Sequence, residues 1–268
     1  MNDVLLLIIS CALLGSVVGF LAGLLGIGGG LIIVPVLSSL LLNFQIVEAD
    51  QVIVVAIATS LASILFTSTS SALAHHRNDN IPWQIAPWVM GGVALGALLS
   101  GFFAAWLPEQ AVRIIFCVSV IAIALRMIFS KSHQEHQKPL PSGGLLGAIT
   151  TLMGSLSAMI GIGGGALIVP LLSHFSVDMK KAIGCAAACG IVIALFGSVG
   201  YVSSGWQHFA WQNGFAGFVY LPALFGIIVT SWFMAPLGAK ATQHWPVKVI
   251  KRIFAALLVV IAIRMLMS

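Results

Sequence analysis

Two nearly identical glycine-rich blocks contain the residues of this sequence best suited to bind a ligand. The first runs from Gly26 to Pro35 and reads GIGGGLIIVP, and the second runs from Gly161 to Pro170 and reads GIGGGALIVP. Apolar residues flank both blocks, so the backbone has to leave the helical conformation in hydrophobic surroundings. Unpaired N–H and C=O groups are tolerated there only in the protein interior or beside a wet cavity. The blocks are therefore candidates for a functional site; the alternative is that their glycines only allow close helix packing.

Backbone N–H groups are what these blocks can offer to a ligand. Glycines at the start of a helix expose several N–H groups, which the positive end of the helix dipole reinforces. Such a nest suits an oxyanion, because it binds the anion without a fixed charge and can also release it. Two nests, one from each block, would form one composite site. The residues predicted to bind the anion in this way are Gly28, Gly29, Gly30, Gly163, Gly164 and Gly165.

Helix breaks and hydroxyl groups complete the candidate site. Gly26, Pro35, Gly161 and Pro170 are predicted to break or bend the helices that carry the glycines. Hydroxyl side chains stand in the apolar segment after the first block, and we expect Thr59 and Ser60 to donate to the anion. An equally weighted alternative is that these hydroxyls bond to backbone carbonyls of their own or neighbouring helices. The equivalent second-half residues are Cys185 and Ala186, so we expect an asymmetric site.

The composition predicts the environment in which these blocks lie. The chain has 268 residues, of which 60% are hydrophobic and 7% are charged, and its mean hydropathy is +1.10. Soluble proteins carry about 25% charged residues, so the fold class is all-α, a polytopic protein of the lipid bilayer. The basic residues lie near the ends of apolar segments, where they report topology rather than binding to nucleic acid.

Eight to ten helical segments are predicted, and most of them reach the ~20 residues that a spanning helix needs. Segments 31–42 and 166–176 follow the glycine blocks and cover about half the hydrocarbon core, which predicts half-helices or re-entrant hairpins. The apolar segments are 4–25, 31–42, 51–74, 85–106, 109–129, 143–160, 166–176, 181–202, 214–235 and 246–267.

The chain is an internal duplication. Residues 16–38 and 151–173 share 12 identities in 23 ungapped positions. The repeats are therefore 1–130 and 143–268, joined by a polar linker over 131–142, and together they form one integrated transport domain.

The basic residues favour inverted rather than parallel repeats. If each short segment continues the preceding helix, the Lys and Arg residues divide 5:7 between the two faces. If the chain turns back at each glycine block, the division is 10:2, with only Arg113 and Arg264 on the minor face. The larger set marks the cytoplasmic face. This arrangement predicts a cytoplasmic linker and places both termini outside the cell inner membrane.

Charged residues and enzyme motifs exclude several function classes. The acidic residues lie at segment edges or in loops, which argues against a proton pump or a carboxylate-based cation carrier. The sequence lacks GxSxG, HExxH and P-loop motifs. We expect no catalytic residue, no metal site and no cofactor; the pair His133 and His136 is better explained as part of a hydrated linker. A membrane enzyme and a structural subunit of a larger complex remain lesser alternatives.

The paired blocks resemble those of the sulfite exporter TauE/SafE family, also described as toluene sulfonate uptake permeases. The resemblance rests on both GIGGG-xxxVP motifs, the Ala-Ile-Ala-Thr59-Ser60-Leu stretch and the Lys181-Ala182-Ile183-Gly184 stretch. Cys185 departs from the family, which more often has Thr or Ser there. The resemblance implies an inner-membrane secondary transporter, an exporter of sulfite or organosulfonates. The alternatives are an anion channel or an uptake permease for another sulfur compound, and a homo-oligomer is compatible with each.

Overall fold

The computed structural model describes residues 2–25, 29–129, 139–209, 214–241 and, near the carboxyl end, 255–256, 258–260, 262–263 and 265. Up to Ala241 this part of the chain contains nine α-helices and one two-stranded hairpin, and the described residues between 255 and 265 are also helical. The helices are α1 (Asn2–Leu25), α2 (Gly30–Asn43), α3 (Val52–Arg77), α4 (Ala86–Trp106), α5 (Glu109–Phe129), α6 (Gly143–Ile160), α7 (Gly165–His174), α8 (Met179–Gly205) and α9 (Leu221–Ala241). Strands β1 (Phe215–Ala216) and β2 (Val219–Tyr220) lie between α8 and α9.

The helices confirm the all-α membrane class. In the described residues, α1, α3, α4, α6, α8 and α9 are long and apolar enough to cross a membrane, whereas α2 and α7 are shorter apolar helices. Helix α2 has 14 residues and α7 has 10. At 1.5 Å per residue these lengths are about 21 and 15 Å, which is less than the ~30 Å hydrocarbon core. The last predicted segment, 246–267, lies mostly outside the described residues.

Both glycine blocks interrupt the helical backbone. Gly29 adopts a left-handed φ of 77° immediately before α2, and the N–H groups of Ile32 and Ile33 donate to its carbonyl. In the second block, Gly161 ends α6 with a left-handed φ of 71°. Glycine adopts this conformation without the steric cost that a side chain adds, so the blocks can turn the chain between the two helices.

The start of α9 differs from the sequence prediction. Segment 214–235 was expected to be continuously helical, which is wrong for its first residues. Phe215 pairs with Tyr220 and Ala216 with Val219 in an antiparallel hairpin, and helix α9 begins at Leu221. The left-handed φ values of Gly214 (84°) and Gly217 (56°) account for this turn.

Helices of each half pack mainly against helices of the other half. Helix α1 packs mainly on α9, and α4 packs mainly on α6 and α8. A Cβ built on Gly226 would lie 3.0 Å from the Cys11 Cβ, and one on Gly19 would lie 2.5 Å from the Ser231 Cα, so α1 and α9 run parallel. In sequence, α1 corresponds to α6 and α9 corresponds to α4, so α1–α9 and α4–α6 are equivalent pairs.

The central pair is α3 and α8, which occupy equivalent positions in the two repeats. A Cβ built on Gly190 would lie 2.7 Å from the Ser68 Oγ, and one on Gly197 would lie 3.1 Å from the Leu61 Cδ1. Residue numbers rise along one helix as they fall along the other, so α3 and α8 are antiparallel. A two-fold axis in the membrane plane requires this direction, whereas an axis along the membrane normal would make the pair parallel.

Candidate functional site

The two glycine blocks meet in the protein interior. A Cβ built on Gly30 would overlap the carbonyl oxygen of Gly161, so the start of α2 lies directly against the turn between α6 and α7. Gly161 in turn lies against α2 and α3, since its own Cβ would be 2.9 Å from the Val34 Cγ2 and 3.3 Å from the Ile57 Cα. Gly29, Gly30 and Gly161 are buried. The described glycines at this contact therefore lie in the protein interior.

Ser60 connects α3 to this crossing. Its hydroxyl donates to the carbonyl oxygen of Gly161 at 3.0 Å, and the Ser63 hydroxyl donates to the Ser60 carbonyl at 2.7 Å. Both serine side chains are buried. The Ser60 hydrogen is therefore used to hold the turn of the second block, and Ser60 can donate to an anion only if this bond opens.

Thr59 binds the β-hairpin. Its Oγ1 accepts a hydrogen bond from the Tyr220 N–H at 3.0 Å, and its side chain is fully buried. A hydroxyl that accepts one hydrogen bond keeps its own hydrogen for donation. Thr59 thus keeps the donor that the sequence prediction assigns to it, while it also fixes the start of α9. Nothing in the sequence pointed to Tyr220, because it lies 161 positions from Thr59.

The turn of the second block is held by Ser157 and by α8. The Ser157 hydroxyl donates to the Ile162 carbonyl at 2.8 Å and lies 3.5 Å from the Gly163 carbonyl. A Cβ built on Gly164 would lie 2.9 Å from the Ala186 carbonyl oxygen and 3.2 Å from the Cys189 Cβ. Gly163 and Gly164 are buried, and Gly165 is half-buried. Only a residue without a side chain fits at position 164 with the backbone as it stands.

The N–H groups at the helix starts are the donors that could hold an anion. At the start of α7, the Ile168 N–H donates a backbone hydrogen bond to the Gly164 carbonyl at 2.8 Å. The first N–H groups of a helix have no acceptor within it, and in α7 these belong to Gly165 and the two residues after it. Gly30 begins α2 in the same way. The predicted donor Gly28 and the predicted break residue Gly26 lie outside the described residues.

Both prolines lie within helices. Pro35 and Pro170 are each the sixth residue of their helix, and α2 and α7 continue beyond them. The Pro35 carbonyl accepts the hydroxyls of Ser38 and Ser39 at 2.9 and 3.0 Å. A proline cannot donate the backbone bond to the residue four positions earlier, so the helical bonding of α2 is weakened within two turns of the glycine block.

Two cavities lie next to this region. One has a volume of about 570 Å³ and is lined by Val4, Gln45, Ile46, His208, Phe209, Phe215 and Tyr220. The other has about 300 Å³ and is lined by Pro35, Val36, Ser38, Ser39, Leu42, Asn43, Val52, Ile53, Arg113 and Met265. None of the described glycines of either block lines these two cavities. The first cavity is connected to the site by Tyr220, whose N–H binds Thr59. The second is connected by Pro35, which lies five residues after Gly30.

Among the described residues, no group of three or more His, Cys, Asp or Glu side chains could hold a metal ion. Asp178 accepts hydrogen bonds from the N–H groups of Lys180 and Lys181 and so caps α8. At the crossing of the glycine blocks, the described residues place the Ser60 hydroxyl on the Gly161 carbonyl among the apolar side chains of Val34, Ile57 and Ile64.

Comparison with known proteins identifies the family of this chain. Residues 11–265 match the family described as "Sulfite exporter TauE/SafE". The chain belongs to this family. Its relatives include a probable membrane transporter protein of Haemophilus influenzae, 39% identical over 97% of this chain and 98% of the relative. A probable membrane transporter protein of Methanocaldococcus jannaschii is 27% identical over 99% of this chain and 97% of the relative. No solved structure matches the chain.

Family membership confirms the resemblance that the paired GIGGG motifs indicated. The match covers both glycine blocks and the stretch through Thr59 and Ser60. The chain is a multi-pass membrane transporter of the TauE/SafE type.

Proposed function

We propose that this protein is a secondary transporter that exports small sulfur-containing oxyanions, such as sulfite or organosulfonates, across the cell inner membrane. The observation that carries the proposal is the contact between the two glycine blocks, at which Gly30 lies against the Gly161 carbonyl. Helix starts that meet in the protein interior can offer N–H groups from both halves to one solute. The family description supports the sulfur oxyanion as the substrate class.

The anion is held by uncharged donors in this proposal. Gly29 and Gly30 supply N–H groups at the start of α2. Gly163, Gly164 and Gly165 supply them at the start of α7, and we assign Gly28 the same role. The helix dipoles add the positive potential that favours an anion at these ends. Neutral donors bind with moderate strength, which transport requires because the solute must also leave.

The hydroxyls connect binding to conformational change. Ser60 now donates to the Gly161 carbonyl at 3.0 Å. An anion at the crossing competes for this hydrogen, so binding loosens the turn of the second block from α3. Thr59 donates its remaining hydrogen to the anion while it holds the Tyr220 N–H. The predicted helix break at Gly26, the left-handed turn at Gly161 and the helical bonds that Pro35 and Pro170 cannot make let the short helices move.

Inverted halves explain how the site would open to each side in turn. The antiparallel packing of α3 on α8 supports this arrangement, since the two helices are equivalent in the repeat. In an inverted repeat, one half can adopt the conformation of the other, which exposes a central site first to one compartment and then to the other. The charge distribution supports a cytoplasmic linker and external termini.

The test compares glycine substitutions that differ only in the space around the residue. Gly164→Ala places a methyl group against the Ala186 carbonyl, whereas Gly91→Ala and Gly144→Ala meet nothing within 4 Å. Each variant is purified, reconstituted into liposomes and assayed for sulfite and sulfoacetate flux. We expect the two controls to keep wild-type flux and Gly164→Ala to lose most of it, with the protein still folded and inserted.

Two results would contradict the proposal. Unchanged flux in both Gly164→Ala and Gly29→Ala would remove the glycine blocks from the mechanism. Flux that neither saturates nor supports counterflow, in which unlabelled anion inside the vesicle accelerates uptake of labelled anion, would replace the carrier with a channel.

A further inference from the structure

The 300 Å³ cavity beside α2 contains a half-buried arginine. Arg113 lines it together with Ser38, Ser39 and Asn43 of α2 and with Val52 and Ile53 at the start of α3. Ligand pockets begin at about this volume, which corresponds to roughly ten water molecules. Among the described residues, Arg113 is the only Lys or Arg that lines either of the two cavities.

Arg113 is poorly paired where it lies. Its nearest carboxylate is Glu109, whose Oε1 is 3.9 Å from an Arg113 terminal nitrogen. The Arg113 Nε and the second Glu109 oxygen, Oε2, are buried and have no hydrogen-bond partner in the described structure. A well-formed arginine–carboxylate pair makes two parallel bonds at about 2.8 Å, so the guanidinium keeps unused donors.

Glu109 has a second contact, at the beginning of α3. Its Oε1 accepts the Ile53 N–H at 3.3 Å, and only 10% of its side chain is exposed. The amino end of α3, a 26-residue helix, therefore points at this cavity and adds positive potential to that of Arg113. Glu109 is the nearest group that opposes this potential, and Asp50, exposed in the preceding loop, is close enough to act on Glu109 electrostatically.

We propose that this cavity is a second oxyanion site, in which Arg113 binds the anion and Glu109 competes with it. The inference rests on the proposed transport of oxyanions and adds a charged docking position to the neutral site at the glycines. Helix α2 joins the two positions: Ser38 follows Gly30 by eight residues, or about 12 Å along the helix axis. An anion that leaves the glycine crossing along α2 thus reaches Arg113, on the face that the charge distribution assigns to the outside.

A planar guanidinium matches the oxygens of a sulfur oxyanion in a way that an ammonium group does not. When the anion binds, Glu109 loses its weak contact with Arg113 but keeps the Ile53 N–H. Residues 106–127 and 244–265 also align in the sequence repeat, with 7 identities in 22 positions, and this alignment pairs Arg113 with Lys251. Each half therefore carries a basic residue there, although Lys251 lies outside the described residues. Two weak sites in series allow an anion to bind and to leave.

The test uses Arg113→Gln, Arg113→Lys and Glu109→Gln in the full-length protein. Binding is measured in detergent as the thermal stabilisation that sodium sulfite or sulfate produces over sodium chloride of equal ionic strength. Transport is measured in liposomes as initial sulfite flux against concentration. We expect Arg113→Gln to raise the half-saturating anion concentration about 10- to 100-fold, the loss of a charge-assisted hydrogen bond. Arg113→Lys should fall between Arg113→Gln and wild type.

Glu109→Gln separates an anion site from a structural ion pair. The amide can still accept the Ile53 N–H but no longer competes for Arg113, so the half-saturating concentration should fall below that of wild type. If Arg113 and Glu109 form only a structural ion pair, Arg113→Gln and Glu109→Gln should both lower the stability of the protein, and Glu109→Gln should not improve anion binding. This result would overturn the inference. Unchanged anion binding in Arg113→Gln would also overturn it.

The two proposals fail in different ways. If the wild-type protein transports sulfite and Arg113→Gln has the same half-saturating concentration, the second site is wrong and the proposed function stands. If no sulfur oxyanion is transported, yet sulfite or sulfate stabilises the wild type and not Arg113→Gln, the proposed function is wrong and the Arg113 site stands.

Discussion

Replacing Gly30 by alanine tests whether the contact between the glycine blocks holds the transporter together. The added Cβ would overlap the Gly161 carbonyl oxygen. This oxygen belongs to the backbone and is held by the Ser60 hydroxyl at 3.0 Å, so it cannot swing away as a flexible side chain could. Overpacking of this kind costs about 1–3 kcal/mol, whereas alanine regains at most about 1 kcal/mol over glycine in a helix.

We therefore expect Gly30→Ala to lose about 2 kcal/mol of unfolding free energy. For a protein of this size, that loss lowers the unfolding midpoint by about 4–8 °C. The assay is thermal unfolding in a mild detergent at one fixed scan rate, because membrane proteins commonly unfold irreversibly and the midpoint then depends on the rate. Gly144→Ala, whose Cβ meets nothing within 4 Å, is the matched control and should keep its midpoint.

A double-mutant cycle with Ser60→Ala isolates the contact itself. Without the Ser60 hydroxyl, the Gly161 carbonyl can move away from a methyl group at position 30, so the second substitution should cost less than it does in the wild type. A coupling of at least about 0.5 kcal/mol is expected for residues that share a partner. A Gly30→Ala protein as stable as the Gly144→Ala control, or additive effects in the cycle, would refute this account of the crossing.

Three further predictions follow from other contacts. Thr59→Val should lower stability by about 1–3 kcal/mol, because the buried Tyr220 N–H loses its acceptor, while Thr59→Ser should recover most of the loss in the same thermal assay. Asp178→Ala should cost about 1 kcal/mol through loss of the α8 cap, measured as a lower unfolding midpoint. In intact cells, a membrane-impermeant maleimide should label Gln207→Cys and spare Leu140→Cys if the repeats are inverted. Labelling of both, or of Leu140→Cys alone, would contradict that topology; the four native cysteines are buried.

The sequence predicted the helix breaks because their signals are local. Glycine has a low helix propensity and adopts left-handed φ values, so the GIGGG motifs marked both turns, and the short apolar stretches that follow marked α2 and α7. Gly29 and Gly161 have such left-handed angles. The contact of Gly30 with Gly161 could be suggested only from the repeat, since a sequence without an alignment does not show which turns meet.

Long-range partners could not be predicted. The hairpin over 215–220 was missed because its residues are as apolar as the helix that follows, although Gly214 and Gly217 carried a signal for a turn. The sequence placed Glu109 at a segment edge, where a carboxylate is usually hydrated. Burial of Glu109 beside Ile53 depends on how α5 approaches the start of α3, and the sequence contains no local trace of that approach.

The packing of α1 against a helix of the other half has a consequence for biosynthesis. Helix α1 is made first, yet its main packing partner, α9, follows about 200 residues later. At about 5–20 residues per second, α1 waits roughly 10–40 s in the membrane before that partner is translated. During this interval its small residues, among them Gly15 and Gly19, face lipid or the insertion machinery. The amino-terminal half is thus an incomplete folding unit on the ribosome, and the nascent chain is most vulnerable to proteolysis before α9 emerges.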